Sequence, residues 1–122
     1  GKDAKIATIG WCFGGAWSNK AAVLLGDKVV ASVMYYGMPV NDSSQLIQIK
    51  APVLGIFAEM DGWITPKVVE DFKSNMEKVN KSIEIHSYAA DHAFANPSNP
   101  KFNKEFADDA WSKSITFFKK YL

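Results

Sequence analysis

The order of apolar runs along the chain predicts an α/β fold, a parallel sheet with helices on both faces. Short β-branched runs alternate with longer stretches of helical spacing, and glycine or proline marks most junctions. The chemically reactive side chains also fall just past strand ends, where open α/β sheets gather their functional groups.

Ile6 to Ile9 reads as the first strand. Gly14 to Leu25 is nearly all apolar through Ala16, Trp17, Ala21, Ala22, Leu24 and Leu25, which predicts a largely buried helix closed by Gly26. Val29 to Tyr36 is a second strand, stopped by Gly37. Met38 to Lys50 has the polar centre of a loop with room for one helical turn. Val53 to Ala58 is the third strand, introduced by Pro52. Thr65-Pro66 pairs an N-cap with proline at the first helical position, and Val69, Phe72, Met76 and Val79 form the stripe of the helix that follows. Ile83 and Ile85 alternate with Glu84 and His86 in a fourth strand. A last helix carries Trp111, Ile115, Phe118 and Leu122 on one face.

A length of 122 residues fits one domain, 1–122, and 48% hydrophobic against 22% charged residues describes an ordinary soluble globule. Fourteen basic and thirteen acidic residues leave a net charge of +1, so there is no electrostatic case for nucleic acid or an anionic membrane as partner. No apolar run is long enough to cross a bilayer. One cysteine excludes an internal disulfide framework and a multi-cysteine zinc site, and fits a reducing, cytoplasmic setting. The chain opens almost directly on a strand, as a cut polypeptide does.

That cysteine stands in Gly10-Trp11-Cys12-Phe13-Gly14-Gly15, at a strand-to-helix junction. The pattern G-x-C-x-G matches the nucleophile elbow G-x-S-x-G with sulfur replacing oxygen. The glycine pair allows a sharp turn and a close helix, leaving the thiol over the first helical turn, where the dipole favours thiolate and the pKa should fall. The alternative is a small buried hydrophobe. A nucleophile needs a base and the base an orienting acid. His92 lies in a loop past the fourth strand, whereas His86 sits within an alternating strand and points to solvent. Asp61 ends the third strand, although Asp-Gly is also an ordinary turn; Glu59 and Asp91 rank below it as acids. The order nucleophile, acid, histidine is that of the α/β-hydrolase scaffold.

Taken together, "GWCFGG", "MYYG", "DGWITP" and "DHAFANP" resemble the dienelactone hydrolases (carboxymethylenebutenolidases), α/β-hydrolases that use a cysteine nucleophile. The resemblance runs over essentially all 122 residues but only the C-terminal half of the family's length, a partial α/β-hydrolase fold. It implies Cys12 as nucleophile, His92 as base, Asp61 as its orienter and the Phe13 N–H as one oxyanion-hole donor. Tyr35 and Tyr36 match a pair bordering the substrate pocket, and Trp11 and Trp63 join them as substrate-binding candidates. The implied substrate is a small ester or lactone, with no metal or organic cofactor. Two places depart from the family. The serine and arginine that follow the catalytic histidine in well-known members are Ala93 and Asn96 here, so a neutral ester or another lactone stands beside dienelactone as the expected substrate. The early strands are absent, with the loop that donates the second oxyanion N–H. The nucleophile strand, central in the family, becomes an apolar edge, which predicts a homo-oligomer that covers it.

Overall fold

The computed structural model describes residues 4–122. Four parallel strands, β1 (Ile6–Trp11), β2 (Val29–Tyr35), β3 (Val53–Ala58) and β4 (Ile83–Tyr88), form one sheet in chain order. They are connected through α1 (Phe13–Leu25), α2 (Ser43–Leu46) and α3 (Pro66–Lys78), and α4 (Lys104–Tyr121) follows the last strand. Alternate strand residues face opposite ways, so each face of the sheet has its own core. Val33, Tyr35, Leu54 and Ile56 pack with Ala110 and Phe117 of α4. Met34, Val53 and Phe57 pack with Ala22 of α1 and with Phe72 and Met76 of α3. The expected parallel sheet with helices on both faces is therefore the architecture.

Local signals explain the helix ends. Thr65 accepts a hydrogen bond from the Val68 N–H at 3.3 Å, and Pro66 is the first helical residue. Asp42 and Asn103 cap α2 and α4 in the same way. Gly26 closes α1 with φ near +53°, a conformation only glycine takes without cost.

Two expected helix faces need correction. Helix α1 is not largely buried: Phe13, Trp17 and Leu24 are 85, 60 and 77% exposed, whereas Ser18 and Asn19 are buried. The reason is distance. The face of α1 that meets the sheet carries Gly15, Ser18 and Ala22, small enough for close approach. Ser18 Oγ donates to the Val33 carbonyl at 2.8 Å and lies 2.9 Å from Thr8 Oγ1, which in turn lies 2.8 Å from Ser32 Oγ. These hydroxyls satisfy one another under the helix, as buried polar groups must. Asn19 Oδ1 accepts from the Val40 N–H at 2.8 Å and pins the loop that follows β2. Helix α4 turns inward with Ala110, Ser114 and Phe117, one position away from the expected Trp111 stripe. Trp111 and Leu122 are about half exposed, and Ile115 and Phe118 are half-buried. There Ser114 hydrogen-bonds the Tyr35 hydroxyl at 3.0 Å, which sets the inward face by a polar contact that apolar spacing does not reveal.

Among the described residues β1 pairs only with β2, so its outer edge is unpaired and Ile6 is 43% exposed, as expected.

The β1–α1 junction is packed backbone against backbone. A Cβ placed on Gly15 would lie 2.5 Å from the Tyr35 carbonyl oxygen, and one on Gly37 would lie 2.3 Å from the Ala16 nitrogen. At Gly14 a Cβ would meet nothing within 4 Å. The close approach thus depends on Gly10, Gly15 and Gly37, with Gly14 spatially free. Gly37→Ala should lower unfolding free energy by about 2–3 kcal/mol in urea titration. Gly14→Ala should be neutral or stabilising by up to about 1 kcal/mol.

Candidate active site

The three strand ends that carry reactive side chains are brought together by ladder-like hydrogen bonds beyond the sheet. The Cys12 N–H donates to the Tyr35 carbonyl at 3.1 Å, continuing the β1–β2 pairing to the thiol. The Glu59 N–H donates to Tyr88 at 2.8 Å and the Met60 N–H to Ala90 at 3.1 Å, so the loops after β3 and β4 leave the sheet together. Asp61 and His92 are thereby set side by side.

Cys12 has φ 54° and ψ −120°, a strained conformation for any residue with a side chain. Tyr36 and Ala93 also have positive φ, 32° and 65°. Among the described residues, three of the four non-glycine positions with positive φ therefore sit at this one place, beside the thiol and just after the histidine. Strain of roughly 1–3 kcal/mol at each such residue is kept only where surrounding contacts overdetermine it. The turn leaves Cys12 half-buried: the sulfur is neither sealed in the core nor fully in water.

Asp61 is buried, and all of its polar contacts point one way. Its Oδ1 accepts from the N–H groups of Trp63 at 2.8 Å and Ile64 at 3.0 Å, and its Oδ2 lies 2.5 Å from His92 Nδ1. An ionised carboxylate only accepts, so Nδ1 is the donor of this pair, and a neutral ring in this orientation carries its lone pair on Nε2. The Asp-Gly turn and a carboxylate in contact with His92, alternatives in the sequence, occur together in one structure. The turn supplies the N–H groups that hold the carboxylate. Among the described residues, neither Glu59 nor Asp91 has a hydrogen bond or ion pair with His92. His86 instead pairs with Glu84 at 2.7 Å.

Cys12 and His92 border one cavity of about 320 Å³, with Phe13, Tyr36, Met38 and Trp63. Tyr36 packs its ring 5.1 Å from the imidazole, and Trp63 lies 6.4 Å from it on another side. The Tyr36 hydroxyl is buried without a hydrogen-bond partner among the described residues. No hydrogen bond joins the thiol to His92 among them either. Phe13 opens α1, where an N–H has no acceptor within its own helix; it faces the same cavity.

Two expectations change here. Burial and the nearby Asp61 charge raise the Cys12 pKa above its ordinary value, contrary to the lowering expected from the helix end alone. The four proposed substrate contacts also separate. Tyr36 and Trp63 border the cavity of the histidine, but Trp11 and Tyr35 border a second one of about 470 Å³ on the far side of Cys12 and Tyr36. Met38 was not singled out in the sequence; its place at the cavity mouth depends on the loop that Asn19 pins.

No group of three or more His, Cys, Asp or Glu side chains converges as a metal site among the described residues, and no helix there is long and apolar enough to cross a membrane.

The family model described as "Dienelactone hydrolase family" matches residues 1–122. Protein usf of Aquifex pyrophilus is 32% identical over 120 residues, which cover 97% of this chain and 52% of that protein. The "Putative carboxymethylenebutenolidase" of Saccharolobus solfataricus is 31% identical over 117 residues, 95% of this chain and 44% of that one. The crystal structure of a "Putative Dienelactone Hydrolase" from Klebsiella pneumoniae superposes with a TM-score of 0.86 at 27% identity, covering 94% of this chain and 52% of the other. The chain spans about half the length of the relatives it matches. Its fold, its motifs and a family match over residues 1–122 together place it: this chain belongs to the dienelactone hydrolase family.

Proposed function

We propose that the chain carries the catalytic constellation of a cysteine-dependent hydrolase of carboxylic esters or lactones, acting through an acyl-enzyme. Cys12 is the nucleophile, His92 the general base, Asp61 the orienting acid and the Phe13 N–H an oxyanion donor. The observation that supports this most is a shared cavity between the thiol and an imidazole whose other nitrogen is held 2.5 Å from a buried carboxylate. His92 Nε2 takes the thiol proton as sulfur attacks the carbonyl carbon, the alcohol leaves with that proton, and water then cleaves the thioester by the same route. A thiol protonated at rest ties proton removal to the attack itself, rather than to a standing thiolate. Tyr36 and Trp63, with Trp11 and Tyr35 across the second cavity, are the substrate contacts. The reading uses no metal or organic cofactor.

In this reading residues 1–122 are the C-terminal portion of one larger α/β-hydrolase domain, working in the cytoplasm. By itself the chain is an oligomer that covers the β1 edge, because exposed apolar strand edges recruit other strands. A second reading is favoured by the half-length span: a catalytically incomplete unit that serves assembly or binding. Loss of one oxyanion donor alone costs about 10²–10³ in turnover.

Three measurements test this account, and the first separates the two readings. Cys12→Ala should abolish p-nitrophenyl acetate hydrolysis above background; equal rates in both proteins would leave only the binding role. Iodoacetamide labelling of Cys12 should show a pH midpoint above that of a free thiol, about 8.5. Asp61→Asn should move that midpoint down, because a negative charge that opposes thiolate is removed. Light scattering after size exclusion should give a dimer or larger species.

A further inference from the structure

We propose, building on the hydrolase reading above, that the two cavities flanking Cys12 divide an uncharged ester at its C–O bond. The leaving alcohol or phenol occupies the cavity of His92, Met38 and Trp63. The acyl group occupies that of Trp11, Tyr35 and Trp111.

Position assigns the halves. Cys12 and Tyr36 border both cavities, so the attacked carbon lies between them. His92 borders only the smaller one. The departing oxygen must take its proton from His92, so it leaves on that side. In the first step the C–S bond forms, the C–O bond breaks, and the thiol proton passes through His92 Nε2 to that oxygen. In the second, water attacks the thioester, one of its protons returns through His92 to sulfur, and the acid departs.

Chemistry assigns the class. Phe13, Met38, Trp63 and Ile64 make the histidine side apolar, and its volume of about 320 Å³ suits a single aryl or short alkyl group. The chain contains no arginine, and none of the lysines among the described residues borders either cavity. The charges at hand are negative. Asp61 lies behind the imidazole, and Asp108, paired with Lys104 at 2.6 Å, borders the second cavity. A carboxylate on either half of the substrate would be desolvated without a cation to meet it.

Cys12 is the one thiol, so its alkylation reads the cavities independently of turnover. Rates with iodoacetate, iodoacetamide and N-phenyl iodoacetamide are measured and divided by those with free cysteine. The expected order places the neutral aryl reagent first and the anionic one last, at least tenfold apart. Met38→Ala should reduce the aryl advantage at least threefold, and Trp111→Ala should not. In ester hydrolysis, Met38→Ala should lower kcat/KM for phenyl acetate more than for ethyl acetate, leaving the deacylation rate of the common acetyl-enzyme unchanged. Equal normalised rates for the anionic and neutral reagents, or like effects of the two variants, would overturn the assignment. Ester turnover that survives Cys12→Ala would instead remove the hydrolase reading while leaving the labelling preference in place.

Discussion

Everything in this molecule hangs on the closeness of one backbone contact, where helix α1 springs from the end of β1 and is pressed against the turn after β2. Gly10, Gly15 and Gly37 leave no space for a Cβ there, since each would come within 2.0 to 2.5 Å of a backbone atom. That approach forces Cys12 into a positive φ and lifts its sulfur to the cavity. The same approach selects small and polar residues for the inner face of α1. The hydroxyls of Thr8, Ser18 and Ser32 and the amide of Asn19 then become the buried contacts, and the large apolar side chains are left outside.

The second constraint is electrostatic. A carboxylate as buried as that of Asp61 must have its oxygens satisfied, and two backbone N–H groups and one imidazole do so. This locks the histidine tautomer from behind. It also puts a negative charge near the thiol, which together with burial disfavours thiolate. One residue therefore holds the imidazole and disfavours thiolate at the neighbouring sulfur.

Phe13, Trp17 and Leu24 are exposed on α1, and among the described residues β1 keeps an unpaired edge, in a chain that spans about half the length of its relatives. Large apolar surface next to an open edge is the kind that proteins ordinarily cover. Cys12, Asp61 and His92 themselves follow the ends of β1, β3 and β4, and both cavities border Cys12.

Much of this was legible in the residues alone. Strands, caps and their order follow from local rules: β-branched runs, Thr65-Pro66, and glycine at Gly26 and Gly37. Cys12, Asp61 and His92 could be picked out because the carboxyl ends of parallel strands share one edge whatever the packing. Tertiary structure decided the rest, because it depends on distances between segments remote in sequence. How near α1 approaches the sheet reversed its expected face, and the Tyr35–Ser114 bond turned α4 by one residue. Burial beside Asp61 reversed the expected shift of the thiol, and the placement of Tyr36 split one imagined pocket into two. Periodicity records which residues are apolar; only the folded chain settles which of them meet.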